Sequence, residues 1–191
     1  MIKQKLSSKG ELVVQKNYLK RINKDLRPTT SKVLSALFSM IGPNGLEGKD
    51  VIDIFAGTGN FGISALRRGA NSATFLDINK KRCEKIKLLL NQSNFKNTNY
   101  VINGSVPKAI SKISRQADIV FVDPPYDQNP FEEVMNSLKE NNILRPKSMI
   151  FMEHSRKTTL PNILPGVVLT ARKLYGDSAL TLFRAQFGET I

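Results

Sequence analysis

The sequence predicts an α/β domain. Its core is a doubly wound, mostly parallel sheet of seven strands with an antiparallel C-terminal hairpin strand, and a short basic extension precedes it. Three observations predict this. Short apolar runs such as Val51–Phe55 and Ile119–Val122 do not alternate with polar residues, so these strands are covered on both faces. Strand-like and helix-like segments alternate along the chain. A glycine loop joins the first strand to the next helix, and the second strand ends in an acid.

The elements follow in order. Residues 1–27 form a basic arm: residues 1–32 hold nine basic side chains, Lys20, Arg21 and Arg27 among them, against Glu11 and Asp25. The arm shows little apolar periodicity apart from the short strand-like Leu12-Val13-Val14, consistent with a small hairpin. The domain proper spans 28–191. Pro28-Thr29-Thr30 opens a helix in which Val33, Leu34, Leu37, Phe38 and Ile41 recur at helical spacing, and Gly42-Pro43-Asn44-Gly45 ends it. Then come strand Val51–Phe55, helix 60–69, strand Ala73–Leu76, helix 79–92, strand Tyr100–Ile102 and helix 105–114. Strand Ile119–Val122 precedes a helix start at Asn129-Pro130-Phe131, with Glu132 and Glu133 in its first turn, where acids suit the helix dipole. Met149–Met152 is a further strand, and Val167–Leu174 and Ala179–Phe187 flank a Gly176-Asp177 turn, a hairpin signal.

Composition excludes several functions. Of 191 residues, 40% are hydrophobic, enough for a sizeable core. The formal net charge of +13 favours a polyanionic partner. One cysteine, Cys83, permits neither an internal disulfide nor a cysteine-built zinc site, and one histidine, His154, permits no histidine-cluster metal site, so no metal is expected. No apolar run approaches the ~20 residues of a membrane span, and the basic N-terminus lacks the apolar core of a secretory signal. A soluble, cytoplasmic protein without a membrane partner is expected.

Two motifs carry chemistry. The first is the Gly57, Gly59, Gly62 match to GxGxxG, between strand and helix, with Asp77 closing the next strand 18 residues after Gly59. This is the first crossover of a Rossmann-like fold: glycines let backbone approach a ligand, and the acid accepts from ribose hydroxyls. Enzymes of NAD(P) and of S-adenosylmethionine share the layout. Asp53, four residues before Gly57, would repel a buried pyrophosphate and tolerate a cationic amino-acid end.

The second motif is Asp123-Pro124-Pro125-Tyr126, at the carboxyl end of a central strand, where open α/β sheets bind ligands. Two prolines remove two amide donors, leaving the Asp123 carboxylate and backbone carbonyls as acceptors beside an aromatic face. Acceptors beside a stacking ring suit an exocyclic amine on a planar base, with stacking on Tyr126 worth about 1–3 kcal/mol. Both amine hydrogens held by acceptors localise the nitrogen lone pair and aim it at an electrophilic methyl group; alignment and electrostatics then supply most of the catalysis.

Together with Arg27-Pro28-Thr29-Thr30 ahead of the glycine loop, these motifs resemble the RsmD family, bacterial 16S ribosomal RNA guanine-N2 methyltransferases that use S-adenosyl-L-methionine. The resemblance covers roughly residues 26–187. It implies that Asp53, Gly57 and Gly59 cradle the methionine part of the cofactor, with Phe55 and Thr58 as further loop contacts. It also implies that Asp77 binds the ribose, and that Ile78 and Asn103-Gly104-Ser105 meet the adenine. The resemblance further implies that Asp123, Pro124, Pro125 and Tyr126 hold the guanine. By the same resemblance Arg27, Thr29 and Thr30 would close over the cofactor or approach the RNA, and Lys20 and Arg21 of the arm are expected RNA contacts, in 16S rRNA or the small ribosomal subunit. The chain departs from the family in having no Gly-Gly pair in residues 1–25, Leu34-Ser35 in place of Arg-Glu, and Ser105 where related enzymes offer Asp or Asn.

The alternatives are a DNA adenine-N6 methyltransferase, a non-catalytic cofactor-binding module for RNA assembly, and an NAD(P) oxidoreductase. The first usually carries an inserted recognition region, for which 191 residues leave little room. The intact tetrad weighs against the second, and Asp53 against the third. Of the remaining polar residues, His154 reads as a strand-end surface side chain, Cys83 as non-catalytic, and Lys80, Lys81, Arg82 and Lys85 as a solvated helix face.

Overall fold

The apolar runs become strands because they have helices on both sides to pack against. In the computed structural model, which describes residues 31–93, 95, 99–126 and 128–186, helix α1 (Ser31–Ile41) leads into β1 (Asp50–Ile54), α2 (Asn60–Leu66), β2 (Ser72–Asp77) and α3 (Lys80–Gln92). These are followed by β3 (Tyr100–Asn103), a 3-10 turn (Lys108–Lys112), β4 (Ala117–Val122), α4 (Phe131–Glu140) and β5 (Leu144–Ser155). The chain then forms β6 (Ile163–Leu164), β7 (Val167–Tyr175) and β8 (Ser178–Ala185). The basic arm, with Lys20, Arg21 and Arg27, and the helix opening at Pro28, Thr29 and Thr30 lie outside the described residues.

The strands form one sheet in the order β3-β2-β1-β4-β5-β8-β7-β6. β1 to β5 are parallel, and β8 runs antiparallel between β5 and β7. The order reverses between β1 and β4, which opens a crevice beyond their carboxyl ends. Every residue of β2, and all but one of β1 and of β4, is buried, which accounts for the unbroken apolar runs.

Alternate residues feed two cores. Phe75, Phe121 and Phe151 face α1, α2 and α3, where they meet Val33, Leu37, Phe61 and Ile86. Leu76, Ile54, Val122 and Met152 face α4, through Phe131, Val134, Met135 and Leu138. Each fully buried large side chain contributes about 1.5–3 kcal/mol. The α2–sheet packing requires glycine at position 62, since a Cβ there would overlap the Phe75 ring.

The sheet differs from the expected one in three places. Among the described residues it has eight strands, not seven, because Ile163–Leu164 adds a two-residue edge to β7. β5 starts at Leu144 rather than near Met149; Pro146 and the positive φ of Lys147 (66°) break the apolar pattern there, and the pairing with β4 shifts register between Ala117 and Ile119. The segment 105–114 is helical only over five residues: Pro107 brings no N–H to the turn, and Ile113 is already extended.

Candidate active site

The glycine loop is held from both neighbouring strands. After β1 the backbone enters the left-handed region at Phe55 (φ 64°), Gly57 (φ 56°) and Gly59 (φ 76°). The Ala56 N–H donates to Leu76 O at 2.8 Å, and the Asp77 carboxylate accepts the Gly57 N–H at 2.8 Å and the Asn79 N–H at 2.7 Å. Asp77 is buried, and the Arg82 guanidinium approaches it at 3.7 Å. Gly59 faces inward rather than toward ligand: a Cβ there would lie 3.1 Å from Ile86, so this glycine serves close packing under the loop.

Asp53 is buried and accepts the Gly62 N–H of α2 at 3.0 Å. Burial pushes its carboxyl well above the usual carboxylate range; the Gly62 bond opposes this, and the charges of Asp123 and Asp77 reinforce it. The register explains the crowding. Asp53 pairs with Phe75 and with Phe121, and Phe121 pairs with Phe151. Asp77, Asp123 and Glu153 each lie two residues further along those strands, so all four acids fall on one face of the sheet at its carboxyl end. A cluster of carboxylates repels a pyrophosphate and attracts a cation.

The tetrad leaves β4 alongside β1, where the Asp123 N–H donates to Ile54 O at 3.3 Å. Pro124 and Pro125 follow, and the Gln128 N–H closes the turn on Pro125 O at 2.9 Å. Tyr126 remains 54% exposed, yet its hydroxyl donates to Asp177 O in the β7–β8 turn at 2.7 Å, so the ring is fixed at the mouth.

These parts share one cleft of about 370 Å³, within the range of small-ligand sites. Of the sequence-predicted residues, Asp53, Phe55, Gly57, Thr58, Asp77, Ile78 and Asp123–Tyr126 line it. Gly59 and Ser105 do not, and Ser105 is exposed beyond β3. Ile78, 70% exposed, offers an apolar surface next to the Asp77 acceptor, as an adenosine needs.

Several lining residues escape the sequence reading. Glu153 carries a usable signal, because it directly follows the apolar run Met149–Met152, whose strand lies beside the tetrad's. Thr158 and Ser178 carry none; chain folding alone brings them in. Arg82 turns from the expected solvated helix face toward Asp77. His154 is buried rather than a surface side chain, because β8 covers it. Its Nδ1 faces Ser155 O at 2.9 Å, which only accepts, so Nδ1 carries the proton and Nε2 accepts from the Thr181 hydroxyl at 2.8 Å. Burial lowers its pKa, which keeps the imidazole neutral. Cys83 is buried against Asp77 O at 3.4 Å, and burial raises its thiol pKa, which suits packing rather than nucleophilic work.

The chain is similar to known proteins in sequence and in fold. The family model described as "Conserved hypothetical protein 95" matches residues 13–184. "Ribosomal RNA small subunit methyltransferase D" of Escherichia coli (strain K12) is 31% identical over 162 residues, covering 84% of this chain and 80% of that protein. The protein of the same name in Haemophilus influenzae is 33% identical over 138 residues, 71% of each. A solved structure of a conserved hypothetical protein from Streptococcus pyogenes superimposes with a TM-score of 0.74 at 28% identity, covering 81% of this chain and 96% of that one. With the glycine loop, the acid-ended second strand and the Asp-Pro-Pro-Tyr ledge opening into one cleft, the chain belongs to the "Conserved hypothetical protein 95" family, the RsmD-type methyltransferases.

Proposed function

We propose that this chain transfers a methyl group from S-adenosyl-L-methionine to the exocyclic N2 of a guanine in 16S rRNA, free or within the small ribosomal subunit, in the cytoplasm. The observation that carries the reading is the opening of the Asp123–Tyr126 ledge into the same cleft as the glycine loop and Asp77. The relatives' names supply the small-subunit RNA. Among the described residues no helix is long and apolar enough to cross a membrane.

The residues fit the cofactor. Asp77 has acceptor capacity left for ribose hydroxyls beyond the two N–H groups it holds, Ile78 would flank the adenine, and the acids lining the cleft suit the cationic methionine end. When bound, the cofactor supplies a methyl group on a sulfonium, and a thioether leaves as the new N–C bond forms.

The chain does the rest by positioning. Tyr126 stacks the base, which must leave its own helix or loop stack to reach the cleft. The Asp123 carboxylate and the Pro124 carbonyl accept the two N2 hydrogens and turn the nitrogen lone pair into the cleft. The proton released on methylation passes through the Asp123 carboxylate to solvent at the open mouth. No histidine is needed, in keeping with a neutral His154 held by Ser155 and Thr181.

The test is to incubate the protein with tritiated S-adenosylmethionine and unmodified small ribosomal subunits or 16S rRNA, digest the RNA, and identify the labelled nucleoside. N2-methylguanosine at one position is expected. Label on adenine N6, or none in the RNA, refutes the proposal.

A further inference from the structure

The motifs leave one charged feature of the cleft mouth unused. β5 ends at Ser155, and the turn Arg156-Lys157-Thr158 crosses the rim next to the β7–β8 turn. The Arg156 N–H donates to Asp177 O at 2.8 Å, and its guanidinium reaches Gly176 O at 3.4 Å. From β7, the Arg172 guanidinium donates to Arg156 O at 3.2 Å and to Thr158 O at 3.0 Å. Asp177 O is also the atom that accepts the Tyr126 hydroxyl. Two guanidinium groups and the exposed tyrosine therefore share one backbone junction.

We infer that Arg156 and Arg172 form a phosphate clamp for the RNA strand that presents the target base; the inference rests on the proposed RNA methylation. Three observations support it. The junction lies on the rim: Ser155, Thr158 and Ser178 line the cleft with Tyr126, and β5 and β8, which carry the first and last of these three, stand on the far side of β4 from β1 and β2, which lead into the glycine loop and Ile78. Both guanidinium groups are exposed and held by neutral carbonyls, and among the described residues neither has a carboxylate within ion-pair distance. Their charge is therefore available to a partner, with Lys157 and Lys173 adding to it. The Arg172 charge also reaches the cleft wall, where it helps hold His154 neutral.

The residue type suits the task. A guanidinium has five N–H donors in a planar fork. The carbonyl bonds use a minority of them and fix the fork's orientation, so little side-chain freedom is lost when the remaining donors meet phosphate oxygens. Contacts to the phosphates flanking the target nucleotide would set strand position, leaving base choice to the ledge.

The test measures KM for unmodified small ribosomal subunits between about 50 and 200 mM salt, using the full-length chain. Arg156→Ala/Arg172→Ala should raise KM and flatten the log KM against log salt slope by about 1.4, at ~0.7 per phosphate contact on a single strand. Its kcat at saturation and its affinity for S-adenosylmethionine should stay within about twofold of wild type. Arg156→Lys/Arg172→Lys should restore the slope, which a purely structural role for the forks would not predict. Lys112→Ala/Lys139→Ala removes the same charge from exposed positions outside the cleft lining and should keep the wild-type slope. A double-alanine variant with the control's slope and KM overturns the clamp, as does a loss confined to kcat. A wild-type chain that transfers no methyl group to the subunits refutes the proposed function itself, and the clamp with it.

Discussion

The two ends of the sheet both carry aspartates, and they treat them in opposite ways. At the amino ends of the strands, Asp50 and Asp118 are joined by Arg145, at 2.8 and 2.6 Å, with Lys49 at 3.6 Å from Asp118. Burial raises the Asp50 carboxyl, but hydrogen bonds from Ser72, Asn71 and Arg145 and the Arg145 charge outweigh it and hold it below the usual range. At the carboxyl ends, Asp53 is buried against Gly62 N–H with Asp123 and Asp77 as neighbours, and its pKa is driven the other way. One end neutralises its acids to tie strands together. The other gathers acids around a cleft, where burial and the neighbouring Asp123 and Asp77 raise Asp53.

The largest effect tests the acid nearest the chemistry. Asp123→Ala should lower methyl transfer by about 10²–10³-fold, the scale of removing one preorganised electrostatic contact, while calorimetry shows cofactor affinity within a few fold of wild type. A variant that turns over normally would mean the carboxyl-end acids are structural after all. Asp77→Ala comes next: it should weaken S-adenosylmethionine binding by about 1–3 kcal/mol, read by calorimetry. Equal affinity would leave Asp77 only its loop bonds to Gly57 and Asn79.

What the sequence made legible follows the range of the contacts. The cofactor half lies within 25 residues, from Asp53 to Asp77, and its strand, loop, helix and acid appear in order. Local spacing therefore revealed it, although Gly59 looks identical on paper to Gly57 and only packing under Ile86 separates them. The substrate half is built from segments far apart. Tyr126 meets Asp177 across 51 positions, and His154 meets Thr181 across 27. No short-range pattern tells that β8 inserts beside β5, so the burial of His154 and the arrival of Ser178 at the cleft stayed hidden. The inward turn of Arg82 was obscured differently: three cations in a row at a helix start look equally solvated until one is found 3.7 Å from an acid.

The amino-end network gives the next effect in size. Arg145→Ala should destabilise the fold by about 1–2 kcal/mol in denaturant titration, a modest figure because the pairs are partly exposed, with kcat unchanged. The sign with pH follows from Asp50. Its folded pKa is depressed, so its contribution is present above the unfolded value near ~3.9 and lost as pH falls through the lower folded value. Without Arg145 that folded value rises, and acid unfolding should begin at higher pH than in wild type.

Asp53→Asn should show the smallest change and the opposite signature. The folded pKa of Asp53 is raised, so its contribution is complete below the unfolded value near ~3.9 and disappears as pH climbs through the folded value. An asparagine can still accept the Gly62 N–H but does not titrate. The variant's Tm, followed beside wild type from acid to neutral pH without cofactor, should therefore match wild type at the acid end and gain on it as pH rises. A gap that widens toward acid would mean that Asp53 is stabilised as a carboxylate, as Asp50 is. Burial and the neighbouring acids would then be outweighed at Asp53 by the Gly62 hydrogen bond, and the contrast between the two ends of the sheet would disappear.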